Sequence, residues 1–507
     1  MASIPQRPIP GSETHHGAIT SHRLAIHAAI VLAGVACVSA VVLTVLPGWM
    51  TTWEGIFAAV VGIVFVGALA LALFWRAPYM DLTASFFRAA LVIWAFLLIS
   101  GELFSRVRGT AESAVEGMFS SAAYGELGLW VLCFLLLLFF SLRSRGYLHR
   151  LSSGQYKWLS GFAVVCVLSS LYSPRPAFSL AWAFKLCLVI AVLAMCSLFI
   201  RNQRDVVAFL RVTVLACLFI IASEVCRAVV DPSVAFEKGR MGLSPDSLSV
   251  TAGIVLILCL TLRAFSRSVW PVIAGIAASV VMIVSAGKAG IIGGIVSAAL
   301  FFLMKKKVGS ALAMLAGLVV LGVSLVLISA PLKSYLAKYT KAGQASSLTG
   351  RTELWNAALP AIWERPIRGH GYMGSKFASL SLQRFGWEAD HMHNAFLDVL
   401  YNNGLIGLVF ILMMHIIIVI NLLQVMRRPG APPGLRELAV GLLAVYADLL
   451  INAFFDSIIG SRPETLFMLF LAVFAMSGIL REGINQRVAW PAKPVRWGAV
   501  RQNTPIT

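Results

Sequence analysis

The chain has 507 residues, 59% of them apolar and only 12% charged, with a formal net charge of +19. A soluble domain carries roughly a quarter charged residues, so the composition excludes an ordinary water-soluble enzyme. The Lys and Arg are spread over short connections instead of forming one basic stripe, which argues for a membrane and against a nucleic-acid partner.

Apolar runs near the length a bilayer core needs, about 20 residues, predict an all-α polytopic integral membrane protein with about 12–14 transmembrane helices. A tail at 1–23 precedes candidate spans at 24–46, 54–74, 86–100, 127–141, 158–172, 178–200, 207–229, 248–263, 269–286, 289–303 and 309–329. A polar stretch, 330–393, separates these from candidate spans 394–424, 436–455 and 464–480, and a Pro- and Arg-bearing tail fills 481–507. The first run, Leu24 to Pro47, is too long for a signal-peptide core and reads as a retained span. The 8 cysteines lie in apolar segments with no C-x-x-C pair. They read as small buried hydrophobes, not as a disulfide framework or a thiolate metal site.

Lys/Arg counts set the orientation. Placing the N-terminus in the cytoplasm puts Arg143, Arg145, Arg150 and Lys157 on that side, with Arg201, Arg204, Arg263, Arg267, Lys305 to Lys307, Arg427, Arg428 and the C-terminal tail. Both termini are then cytoplasmic and 330–393 becomes a large periplasmic loop.

Within that loop, Leu354, Ala358 and Ile362, with Trp355 and Leu359, mark one face of a helix that Thr349 or Thr352 would cap. A helix N-terminus beside Arg351 suits an anion. The run Arg365 to Tyr372 contains Gly369 and Gly371, which predict a tight turn. Asp390-His391-Met392-His393-Asn394 leads into the next span, with Gly404 and Gly407 a little further on. The i, i+2 spacing of His391 and His393 does not make an H-x-x-x-H zinc site. A histidine at a membrane interface is by default a hydrogen-bonded structural residue, and Arg351 by default snorkels or pairs with Glu353. Several further polar or basic groups sit at outward span ends: Arg175, Arg240, Lys288 in a Gly-rich turn, Asp456 and Arg462. The positive-inside bias disfavours cations on this side, so Arg240, Lys288 and Arg351 form an expected outward cationic set suited to a phosphate or pyrophosphate.

In order, Arg240 before Gly242, the basic turn Ser285 to Gly290, Gly350-Arg351 with Trp355 and then Pro366 to Gly371, and His393-Asn394 followed by Gly404 to Gly407 resemble the O-antigen ligase and Wzy-type polysaccharide polymerase family of bacterial inner membranes. The resemblance implies a GT-C-like, inverting glycosyltransferase that needs no metal or other cofactor. It implies transfer of a glycan from undecaprenyl diphosphate, at the periplasmic face, to a growing glycan or to lipid A-core. Carried over, Arg240, Lys288 and Arg351 would bind the diphosphate and His393 would assist the acceptor hydroxyl, with His391, Asn394, Asp456 and Arg462 in support. Lys288 stands where the family usually has Arg, keeping the charge without the bidentate fork. The implied partners are the lipid-linked donor, the glycan or lipid A-core acceptor, membrane lipid, and export or chain-length regulation proteins. Polymerase is the reading preferred here, for exopolysaccharide or O-antigen. The alternatives are an O-antigen ligase, a lipid-linked sugar transporter or flippase, and a non-catalytic scaffold.

Overall fold

The computed structural model describes residues 82–107, 128–137, 139, 150–151, 154–230, 245–328, 333, 351–377 and 391–485. The expected spans 24–46 and 54–74, Arg240, Thr349 and both chain termini lie outside these residues.

Twelve of the expected spans have helices within the described residues: α1 (Leu82–Val107), α2 (Gly128–Leu137), α3 (Tyr156–Ser170), α4 (Pro176–Phe199), α5 (Gln203–Val230), α6 (Pro245–Arg263), α7 (Trp270–Val284), α8 (Lys288–Met304), α9 (Val308–Ile328), then α11 (Ala395–Arg427), α12 (Pro433–Ala453) and α13 (Thr465–Asn485). Between them, α10 (Arg351–Glu364) and a 3-10 turn at Gly374–Phe377 fold from the long polar stretch. Six of these helices are long and apolar enough to cross a membrane (α4, α5, α6, α9, α11 and α13), and shorter apolar helices pack among them. No strand occurs among the described residues. The protein is a polytopic α-helical membrane protein.

Local sequence sets the ends. Pro176 and Pro271 occupy the first turns of α4 and α7, where proline's missing N–H is not needed. Asn394 caps α11, its side chain accepting from the amides of Phe396 and Leu397 at 3.0 Å each. The turn between α7 and α8 puts Ala286 at φ 54°, so 269–286 and 289–303 are two helices, both packed on α6.

The core runs through α4, α6, α12 and α13, whereas α9 buries only Ala311 and Leu318. Where α8 meets α12, a Cβ on Gly293 would strike the Asp448 carboxylate and the Asn452 amide. Glycine is what lets these polar side chains sit between tightly packed helices. Lys185, fully buried in α4, lies 4.6 Å from the Trp130 ring centre and 5.1 Å from that of Trp182. Two aromatic faces thus compensate a charge that would be costly in the membrane interior.

One break positions the segments packed at the N-terminal end of α11. Gly404 has non-helical backbone angles, φ 64° and ψ −166°, inside the helix. The freed groups are satisfied by the glycine-bearing segment after α10. The amides of His370 and Gly371 donate to the carbonyls of Tyr401 and Asn402 at 2.8 and 2.9 Å, and the amide of Leu405 donates to Pro366 at 2.8 Å. A Cβ on Gly404 would collide with the Ile367 carbonyl, and one on Gly369 with the Asn402 carbonyl. The expected turn at Gly369 and Gly371 is therefore real, with φ 71° and 100°, and its purpose is to dock against a broken helix. Gly404→Val should lower the thermal midpoint of the detergent-solubilised protein, with strain alone costing about 1–3 kcal/mol, and should expose 366–377 to limited proteolysis. An unchanged midpoint and cleavage pattern would mean that the docked turn does not need this glycine.

Candidate functional site

Around the break, side chains lock the 366–377 segment to the helix bundle. Asn402 of α11 accepts from the amide of Ser375 at 2.7 Å and donates to its hydroxyl at 3.1 Å. Asn403 donates to Ser169 of α3 at 2.9 Å. Tyr372, fully buried, donates to the Ser461 carbonyl at 2.7 Å, and its own carbonyl accepts from Ser179 of α4 at 2.7 Å. The His370 ring stacks on Tyr401 with centres 4.4 Å apart.

On this platform α10 lies with Leu354, Ala358 and Ile362 buried, as their spacing predicts. Leu359, expected on the same face, is exposed, and Thr352 lies inside the helix instead of capping it, because α10 already begins at Arg351. Trp355 is the telling contact. Its indole N–H donates to the Met392 carbonyl at 2.9 Å, between the two histidines of the loop. Arg351 is one helical turn before Trp355 on the same face, so the start of α10 is carried to the His391–His393 segment.

That segment is held at both ends. Asn394 caps α11 and also donates to the Phe454 carbonyl at 3.2 Å. His393, immediately before it, has φ 47°, a left-handed conformation that is uncommon outside glycine and concentrates at functional sites. The bend brings the rings of His391 and His393 to 4.1 Å between centres. Asp456, from the connection between α12 and α13, closes the cluster. Its Oδ1 lies 3.1 Å from His391 Nε2 and 3.6 Å from His393 Nδ1, and accepts from the Ser457 amide at 2.8 Å. Partial burial opposes the Asp456 charge, but hydrogen bonds and charge attraction from both histidines outweigh it and hold the carboxyl well below the usual carboxylate range. The three ligand atoms all lie within 4.8 Å of one another, close enough to share a proton or a cation.

Of the residues singled out in the sequence, His391, His393, Asn394 and Asp456 come together, and Arg351 stands one turn from their contact with α10. Lys288 begins α8, whose Gly293 packs on Asp448 and Asn452 near the end of α12 from which the Asp456 connection leaves. Lys288 therefore lies on the same membrane face as Asp456. Arg462 lies further along that connection, 3.2 Å from Glu464 and over the Trp182 ring. Asp398, Asn402, Asn403 and Tyr372 were not anticipated as part of the site's support. The polar residues at 398, 402 and 403 within an apolar span were the available signal.

The comparisons with known proteins fall on this architecture. Residues 252–412 match the O-antigen ligase family. The matched segment includes Lys288, Arg351, His393 and the broken start of α11, and the expected resemblance is borne out over it. The chain is also similar to the exopolysaccharide production protein ExoQ of Rhizobium meliloti (strain 1021), at 27% identity over 159 residues. That similarity spans 30% of this chain and 35% of the relative's length. Asp456 lies beyond the matched segment and joins it through the fold.

Because the Asp456 carboxyl is held below its ordinary value of 3.8, the stability it supplies is complete at higher pH and is lost as pH falls through the lower folded value. Asp456→Asn should lower the thermal midpoint near neutral pH, and the gap from wild type should close in strong acid. A gap independent of pH would remove the charge-based account of the cluster.

Proposed function

We propose that this protein is a metal-independent, inverting glycosyltransferase that extends polysaccharide from undecaprenyl-diphosphate-linked glycan at the periplasmic face of the bacterial inner membrane, with both termini in the cytoplasm. The observation that carries the reading is the His391–His393–Asp456 cluster joined to the α10 start bearing Arg351, within and beside a segment that matches the O-antigen ligase family.

The chemistry follows from the geometry. His393 Nδ1 faces Asp456, so Nε2 is the nitrogen that takes the proton from the acceptor hydroxyl, with the carboxylate orienting the ring and stabilising its protonated form. The hydroxyl oxygen forms the new bond to C1 of the donor sugar as the C1–O bond to the diphosphate breaks, which inverts C1. The electron pair leaves with the lipid diphosphate, and Arg351, Lys288 and Arg240 stabilise the charge it gains. These fixed cations supply what a divalent metal supplies elsewhere. His391, the closer partner of Asp456, holds that carboxylate in place.

Polymerisation is preferred because the similar protein is named for exopolysaccharide production. The family's description, O-antigen ligase, favours ligation as the second reading, with lipid A-core as the proposed acceptor. A deletion strain complemented with wild type or His393→Ala separates them by the gel profile of its polysaccharide. Single repeat units on lipid, lengthened only by wild type, are expected. Long chains missing from lipid A-core would identify a ligase, and an unchanged profile would return the protein to transport or scaffolding. Each chemical role is worth about 10²–10⁴ in rate, so His393→Ala should abolish transfer in purified membranes while the protein remains inserted, and His391→Ala should be milder. Arg351→Ala should weaken use of the lipid-diphosphate donor. Wild-type transfer should persist in excess EDTA. Loss of transfer on chelation, restored by zinc, would reassign the histidine cluster to a metal.

A further inference from the structure

At the far end of α11, across the membrane from the histidines, a cavity of about 500 Å³ opens between the last turns of α11 and α13. On α11 the apolar Ile420 and Leu423 lie deeper than Arg427 and Arg428, and α13 contributes Arg481 with Ile484 one turn nearer its end. The lining contains three guanidinium groups and no carboxylate.

The surrounding hydrogen bonds prepare this rim. Arg481 Nη1 donates to Asn421 Oδ1 at 3.0 Å, and the Asn421 amide donates to Gln155 at 2.8 Å and Ser477 at 3.3 Å. Asn421 is buried, so one edge of the Arg481 guanidinium is fixed from within the bundle. The neighbouring carboxylate, Glu482, is turned to Arg150, which grips both of its oxygens at 2.7 and 2.8 Å. The acidic group nearest in sequence is thereby matched elsewhere. Arg427 ends α11 and Arg428 caps it.

Basic residues at a helix end commonly serve only to set orientation, and snorkelling needs no cavity. Here three of them line one, and on α11 Ile420 and Leu423 lie one to two helical turns deeper than Arg427. From Ile420 to Arg427 the helix rises about 10 Å, comparable to the step from a headgroup phosphate to the upper acyl chain. Forked guanidinium groups suit phosphate oxygens, and a basic pocket between membrane helices suits an anionic headgroup. We propose that this cavity is a binding site for an anionic phospholipid of the bilayer, its phosphodiester held by Arg427, Arg428 and Arg481 and the start of its acyl chains against Ile420 and Leu423. The site is separate from the glycan chemistry and does not depend on that reading.

The test uses the full-length protein in nanodiscs of phosphatidylcholine with graded phosphatidylglycerol or cardiolipin, with retained lipids counted by native mass spectrometry. Wild type should retain phosphatidylglycerol or cardiolipin at least tenfold over its share of the bilayer. R427A/R481A should lose that enrichment, and R427K/R481K should keep part of it, which separates lost charge from misfolding. Inorganic phosphate at millimolar concentration should not displace the lipid. No enrichment in wild type, or equal enrichment in R427A/R481A, would overturn the site. Displacement by inorganic phosphate would reassign it to a free anion. His393→Ala should retain lipid as wild type does, so a failure of the transferase reading leaves this result readable.

Discussion

A membrane helix that stops being helical must find new partners for its backbone, because the bilayer interior offers no water. The break at Gly404 in α11 leaves the carbonyls of Tyr401 and Asn402 and the amide of Leu405 without their usual helical partners. The Pro366–Gly371 segment supplies what is missing. That exchange ties this segment to the bundle, fixes the end of α10, and so aims Trp355 at the Met392 carbonyl. The histidines are held from the other side by the Asn394 cap and by Asp456. Their placement therefore depends on satisfying one interrupted helix.

Charge is distributed unequally about this frame. On the histidine face, a carboxylate held in its charged form draws two imidazoles together, with Arg351 one turn from the contact and Lys288 at the start of α8. On the opposite face, Arg150 is matched by Glu482 and Lys305 by Glu437, while Arg427, Arg428 and Arg481 rim a cavity with an apolar floor. Within the bundle, the exposed polar character disappears. Lys185 is enclosed by tryptophans, and Asp448 sits in a niche that only glycines leave room for.

The cluster also shows why loop residues can be placed with precision. His393 occupies a left-handed backbone conformation and is followed directly by a capping asparagine. The strain is sustained because α10, the Asp456 connection and the cap restrain the same four residues. Asp456 comes from a part of the chain more than sixty residues later, as its number shows, and reaches the site because α12 returns across the membrane beside α8 and α11.

Hydropathy alone located α1 to α9 and α11 to α13, often to within a few residues, because a bilayer core demands long apolar runs and leaves little freedom in their length. The burial of Leu354, Ala358 and Ile362 was equally legible, since a period of 3.6 follows from helix geometry. The glycines at 369, 371 and 404 marked turns and a likeness to a family, but not each other, because backbone pairing between distant segments leaves no periodic signature. The i, i+2 spacing of His391 and His393 gave no sign that their rings would meet, since only the bend at His393 brings them together. Asp456 was visible as a polar residue at a span end. Its partnership with the histidines was decided by the tertiary structure, through the packing of α12 on α11, because a side chain's charge state and partners are set by what is near it in space.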